Sequence, residues 1–193
     1  MRISESYASS AADTDGYAND VTASSGTAFT LAADETPDSV AHKIIITPSG
    51  SVTGNYGISG KDANGATISE TLATNTTNAV TSVNYYMSDI VVTAPSGLGA
   101  ETVDIGWTAA AVTPAINITP YLKQGYFAMG IAVEATGTPA YSLQQSYGGE
   151  WFNHASIATK TASADGSLSF PVSAVRLIFT AASTVVMNLV LPG

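Results

Sequence analysis

The sequence predicts an all-β fold, and three observations predict it. Apolar residues fall on alternate positions in segment after segment, the period of a half-buried strand. Turn-forming residues recur about every eight to twelve positions, the spacing of a sandwich or barrel. No segment sustains a helical period. Together these give two consecutive antiparallel β-sandwich domains, of jelly-roll or immunoglobulin-like type, behind an extended N-terminal arm.

Residues 1–27 are small and polar, and Asp13, Asp15 and Gly16 interrupt any period. Such a segment buries too little apolar surface to offset its ordering entropy, so it is expected as an arm that orders against a partner or stays flexible. The first domain, 28–112, has expected strands at 29–32, 43–47, 56–61, 67–72, 80–84, 90–93 and 102–108. Alternation is clearest in the last, where Val103, Ile105 and Trp107 share one face and Thr102, Asp104 and Gly106 the other. The small-residue stretch 109–115, broken by Pro114, reads as a linker. The second domain, 113–193, has expected strands at 116–119, 126–134, 141–147, 167–170, 175–180 and 185–191, with another near 156–159. Its inward rows are Phe127, Met129, Ile131 and Val133, then Val175, Leu177 and Phe179, then Val185, Met187, Leu189 and Leu191. The expected core is Val103, Ile105, Trp107, Phe127, Met129, Ile131, Leu177 and Phe179. Ile45-Ile46-Thr47-Pro48 and Ile116-Asn117-Ile118-Thr119-Pro120 open the two halves alike, a weak internal repeat.

Nearly half of the chain is Ala, Ser, Thr or Gly, and only six basic and 15 acidic residues occur in 193. A folded monomer of this mass exposes roughly 8,600 Å², or about one charge per 400 Å², less than half the density of an ordinary domain. Neutral gaps of that size match the largest apolar patches soluble monomers tolerate, so part of this surface is expected to be covered by other subunits, in a homo-oligomer or a larger assembly. The net charge of −9 and the scatter of Arg2, Lys43, Lys61, Lys123, Lys160 and Arg176 give no basic face for nucleic acid. The absence of cysteine removes disulfides, thiolate metal sites and thiol nucleophiles together. No apolar run is long enough for a membrane span or a secretion signal, so the chain is expected to be made and kept in the cytoplasm until assembly.

Asp62-Ala63-Asn64-Gly65, with Glu70 beyond it, is superficially like a calcium loop, which needs several oxygen ligands and a late acid, but the acid comes too early, and Asn-Gly between strands is the strongest short hairpin signal. Counting by twos places Glu70 on the face of Ile68 and Leu72, where its carboxylate needs a cation or backbone donors. A structural ion pair or a sheet-edge position is expected for it. His42 and His154 sit in no two-histidine spacing, and Gly57-Ile58-Ser59-Gly60 is one residue short of a nucleophile elbow. No catalytic residue, metal or cofactor is therefore expected, and no enzyme. The candidate recognition residues are Trp151, Phe152 and His154 in Tyr147-Gly148-Gly149-Glu150-Trp151-Phe152-Asn153-His154. There an aromatic pair in a glycine-flanked loop either stacks on a sugar or anchors a partner, or Trp151 folds back as a plug for the second sandwich. Tyr85 and Tyr86 interrupt an alternation and pose the same choice between subunit contact and core corner.

The stretches His42-Lys43-Ile44-Ile45-Ile46-Thr47, Ile58 to Leu72 with its Asp-x-x-Gly hairpin and single Glu70, and Asp89-Ile90-Val91-Val92-Thr93 resemble a module of tailed-bacteriophage structural proteins. Phe170-Pro171-Val172-Ser173-Ala174-Val175-Arg176-Leu177 and the final apolar strand are similar to a second such module. The resemblance covers about 150 residues; sandwiches of this composition also occur in adhesins. It implies a virion component on the outer surface of the head, a decoration (cement) protein whose partner is the major capsid protein or another virion subunit. A collar, tail or fibre component, or a carbohydrate- or receptor-binding module using the Trp151 loop, is the alternative.

Overall fold

The computed structural model describes residues 2–118, 128–168 and 172–190. Among them are fifteen strands and no helix, so the all-β expectation holds. The chain forms two compact units. One gathers residues 1–10, 38–40 and 112–193, the other residues 11–37 and 41–111.

The second of these units is built from β2 (Asp13–Val21), β3 (Ala41–Pro48), β4 (Asn55–Lys61), β5 (Thr67–Ala73), β6 (Val80–Thr81), β7 (Ser88–Thr93) and β8 (Val103–Val112). β8 lies between β2 and β3, with β6 beyond β3, while β4 sits between β5 and β7 in a separate antiparallel sheet. Both sheets turn their alternate residues into one cluster: Ile44 and Ile46 from β3, Val103, Ile105 and Trp107 from β8, Tyr56 and Ile58 from β4, Ile90 and Val92 from β7. Tyr17 of β2 joins them, its ring edge-on to Trp107 at 4.9 Å, and Trp107 Nε1 donates to the Ala11 carbonyl at 2.9 Å.

The other unit holds β1 (Arg2–Ser9), β9 (Ile116–Asn117), β10 (Met129–Thr136), β11 (Tyr141–Tyr147), β12 (Glu150–Asn153), β13 (Ala164–Leu168), β14 (Ala174–Phe179) and β15 (Ser183–Val190). One antiparallel sheet runs β1-β15-β10-β13; in the other, β11 is flanked by β12 and β14, and β9 pairs with β14. Met129, Ile131 and Val133 of β10, Val185, Met187 and Leu189 of β15, Leu143 of β11, and Val175, Leu177 and Phe179 of β14 are buried, as period-two counting requires. Phe127, Leu191 and Phe170 lie outside the described residues.

Three expectations are corrected. Residues 1–27 are not an arm: β1 pairs with β15 over its whole length, from Arg2 opposite Val190 to Ser9 opposite Ser183, and β2 pairs with β8. Each strand buries a tyrosine, Tyr7 and Tyr17, which supplies the apolar area that the surrounding Ser and Asp conceal. Residues 109–112 are not linker but the end of β8, with Ala111 and Val112 buried. The segments 29–32 and 156–159 form no strand.

Candidate functional site

Glu70 projects from β5 on the half-buried row with Ile68 and Leu72. Its Oε2 accepts the Val83 N–H at 2.9 Å, and its Oε1 accepts the Asn84 N–H at 3.3 Å and the Tyr86 hydroxyl at 3.2 Å. Of the two positions expected for Glu70, the structure gives the sheet edge, since β5 is the outer strand of its sheet, and in place of an ion pair the carboxylate is held on two main-chain donors and a phenol. This satisfies a half-buried charge without a second ion, because hydrogen bonds to a charged acceptor are the strong ones. The latch ties β5 to the segment after β6. Burial, followed by the charge of Glu70, raises the ionisation of the Tyr86 phenol far above its ordinary value.

Tyr86 is fully buried, and its main chain exchanges hydrogen bonds with His42, at 2.9 and 2.8 Å. The two tyrosines thus divide the alternatives: Tyr86 belongs to the core, whereas Tyr85 is half-buried with the Lys43 ammonium 5.2 Å from its ring centre. The buried His42 ring points Nδ1 at the Thr108 carbonyl at 2.8 Å. A carbonyl only accepts, so this nitrogen carries a proton. The Asp62 carboxylate closes its own hairpin, accepting the N–H groups of Asn64 and Ala66 at 2.9 Å each.

Trp151 and Phe152 lie on β12, a strand where a loop was expected. Gly148 and Gly149 form a two-residue turn with φ of 56° and 95°, the left-handed pair that such hairpins require. The Tyr-Gly-Gly-Glu signal was present in the sequence and identifies the hairpin once the strand on either side is granted. Trp151 is half-buried, and the Arg176 guanidinium lies 4.0 Å from its ring centre. Arg176 Nε donates to Gln144 Oε1 at 2.9 Å, and Gln144 Nε2 donates to Asn153 Oδ1 at 3.2 Å. One face of the indole thus packs on a cation. Phe152 is 52% exposed and meets Tyr147 edge-on at 5.9 Å. His154 does not join this surface. It is buried, its Nε2 donates to the Ser167 carbonyl at 3.2 Å, and its Nδ1 lies 3.1 Å from the Ser156 hydroxyl, so it ties the segment after β12 to β13.

The outer face of the β5-β4-β7 sheet was not foreseen from the sequence. Gly57 stands opposite both Thr71 and Thr93, and Ser59 opposite both Ser69 and Val91. These six residues share one side, with Val91 41% exposed. The charges at its margin, Lys61 and Asp89, pair with each other at 2.6 Å. The result is a patch of hydroxyls, one glycine and one valine with no net charge.

No protein-family model matches the chain, and no curated protein matches it. Among solved structures, the crystal structure of allantoicase from Saccharomyces cerevisiae matches across 95% of this chain and 89% of that one, at 10% identity and a TM-score of 0.26. A likeness of that size carries no argument about fold or reaction. The match is to an enzyme where none was expected, and the expectation of no enzyme is not carried further.

Proposed function

We propose that this chain is a structural subunit of a tailed-bacteriophage virion that docks on the outside of the head as a decoration protein, with the major capsid protein or a neighbouring virion subunit as its partner. The observation that carries the reading is the uncharged outer face of Gly57, Ser59, Ser69, Thr71, Val91 and Thr93. Burying a charge at an interface centre is costly unless it is paired, and interface centres are accordingly depleted in charge. A face whose only ions are already paired at its edge meets that condition. The low charge count of the whole chain and the likeness of its hairpins to phage modules point the same way. Added buried area would then clamp adjacent head subunits against internal pressure.

Electron microscopy of virions carrying a label on this chain tests the proposal. Label on the head surface supports it, and label confined to the tail or fibres moves the assignment there. Binding of the isolated chain to a glycan array, abolished by Trp151→Ala, would replace it with a carbohydrate-binding module.

A further inference from the structure

We infer that the outer face of the β1-β15-β10-β13 sheet binds a second copy of this chain about a twofold axis, independently of where in a virion the chain sits. The face is set by register. Arg2 stands beside Val190, Val190 beside Gly130 and Gly130 beside Ser167; one row along come Ser4, Asn188, Ala132 and Asp165; the next holds Ser6, Val186 and Glu134. Apart from Arg2, Glu134 and Asp165 these are small or uncharged residues, and Val190 is 56% exposed.

A diagonal crosses this face. Arg2 Nε and Nη2 donate to Asn188 Oδ1 at 3.2 and 2.6 Å, and Asn188 Nδ2 donates to Glu134 Oε1 at 3.0 Å. Asn188 is only 4% exposed although it points outward, because the two charged side chains close over it. The row is thus a cation and an anion held on opposite sides of one amide, with the amide's donor and acceptor both satisfied. Among the described residues Arg2 Nη1 and Glu134 Oε2 have no bond. A free donor remains at one end and a free acceptor at the other.

This arrangement is self-complementary. In a face-to-face pair, a twofold axis passing over Asn188 and perpendicular to the diagonal lays the Arg2 of each copy over the Glu134 of the other. Arg2 and Glu134 then find opposite partners, as an isologous contact requires, while Asp165 stands on the edge strand β13. Three strands roughly 25 Å long and the shorter β13, about 4.8 Å apart, give somewhat under ~500 Å² per copy. The pair buries on the order of 1,000 Å², the lower bound for a specific interface. The dimer is therefore expected to be weak, in the micromolar range.

Sedimentation-velocity runs over a concentration series test the inference with four samples: wild type, Arg2→Glu, Glu134→Arg and an equimolar mixture of the two variants. Each variant lays like charges over one another across the axis and repels its own copy, while the two variants together are complementary. The expected result is a reversible wild-type dimer, self-association weakened at least tenfold in each variant, and a one-to-one heterodimer in the mixture. Circular dichroism and thermal melts of each variant confirm that the fold is kept. A wild type that stays monomeric into the hundred-micromolar range overturns the inference. So does a dimer that both variants leave unchanged, or a mixture that does not associate while the wild type does.

Discussion

At the scale of single residues, the account rests on how a charge-poor chain satisfies the few polar groups it buries. Glu70 is the clearest case, and Glu70→Gln tests it. The amide keeps one acceptor but turns an NH₂ group toward a main-chain N–H, so the variant should lose about 1–3 kcal/mol in urea unfolding. In the same variant the Tyr86 phenol loses the neighbouring charge and keeps its burial. Its ionisation, followed by ultraviolet absorbance, should move down yet stay above that of a free tyrosine. Tyr7 gives the pH dependence. Burial first, then the Glu5 carboxylate, push its phenol up from 10.0 to about 12, against a smaller opposing effect of the Thr113 hydroxyl bond. The unfolded chain releases this proton near pH 10 and the folded chain near 12, so the unfolded state binds fewer protons in that window. The stability from Tyr7 is complete below pH 10 and is lost as pH rises through about 12. The urea midpoint should fall across that range, and Tyr7→Phe should shallow the fall. Of these residues, the position of Glu70 on the row of Ile68 and Leu72 was legible by counting in twos. Its partners were not, because Val83, Asn84 and Tyr86 reach it only through the course of the chain in space.

At the scale of elements, alternation carried most of the strands, because β3, β4, β7, β8, β10, β14 and β15 each turn one row inward and the other outward. The strands that escaped, β1 and β2, are rich in Ser and Asp and bury only one large side chain each. β2 also shifts register against β8 between Asp13 and Ala18 and again before Val21, which breaks the period from which a strand is read. The crossing of these two strands depends on Gly106, where a Cβ would stand 2.0 Å from the Asp13 carbonyl oxygen and 2.6 Å from the Thr14 carbonyl carbon. Main chain cannot yield as a flexible side chain does. Gly106→Ala should therefore lift β2 from β8, seen as faster hydrogen exchange through residues 13–21 and a red shift of Trp107 fluorescence, whereas Gly130→Ala, in open contact with Val190 at 3.7 Å, should leave the fold unchanged. Trp107→Ala belongs to the same element. It removes both the Tyr17 contact and the bond to Ala11, and should cost about 3–5 kcal/mol. An unaltered melting temperature would mean that the indole does not support this core.

At the scale of the whole molecule, the proposal is that scarcity of charge is a property of docking surfaces. Two pairs of charges on the sheet faces are neutralised within the face: Lys61 by Asp89, and Arg2 by Glu134 through Asn188. The sequence made the scarcity plain but not this pairing, since residues 2 and 188 stand at opposite ends of the chain. The most direct measurement is co-sedimentation of the purified chain with virion heads from which it has been removed, comparing wild type with a Ser69→Lys, Thr71→Lys double variant. The account predicts saturable binding of the wild type and loss of that binding in the variant, with its circular dichroism and melting temperature preserved. Absence of wild-type binding, or equal binding by the variant, would contradict it.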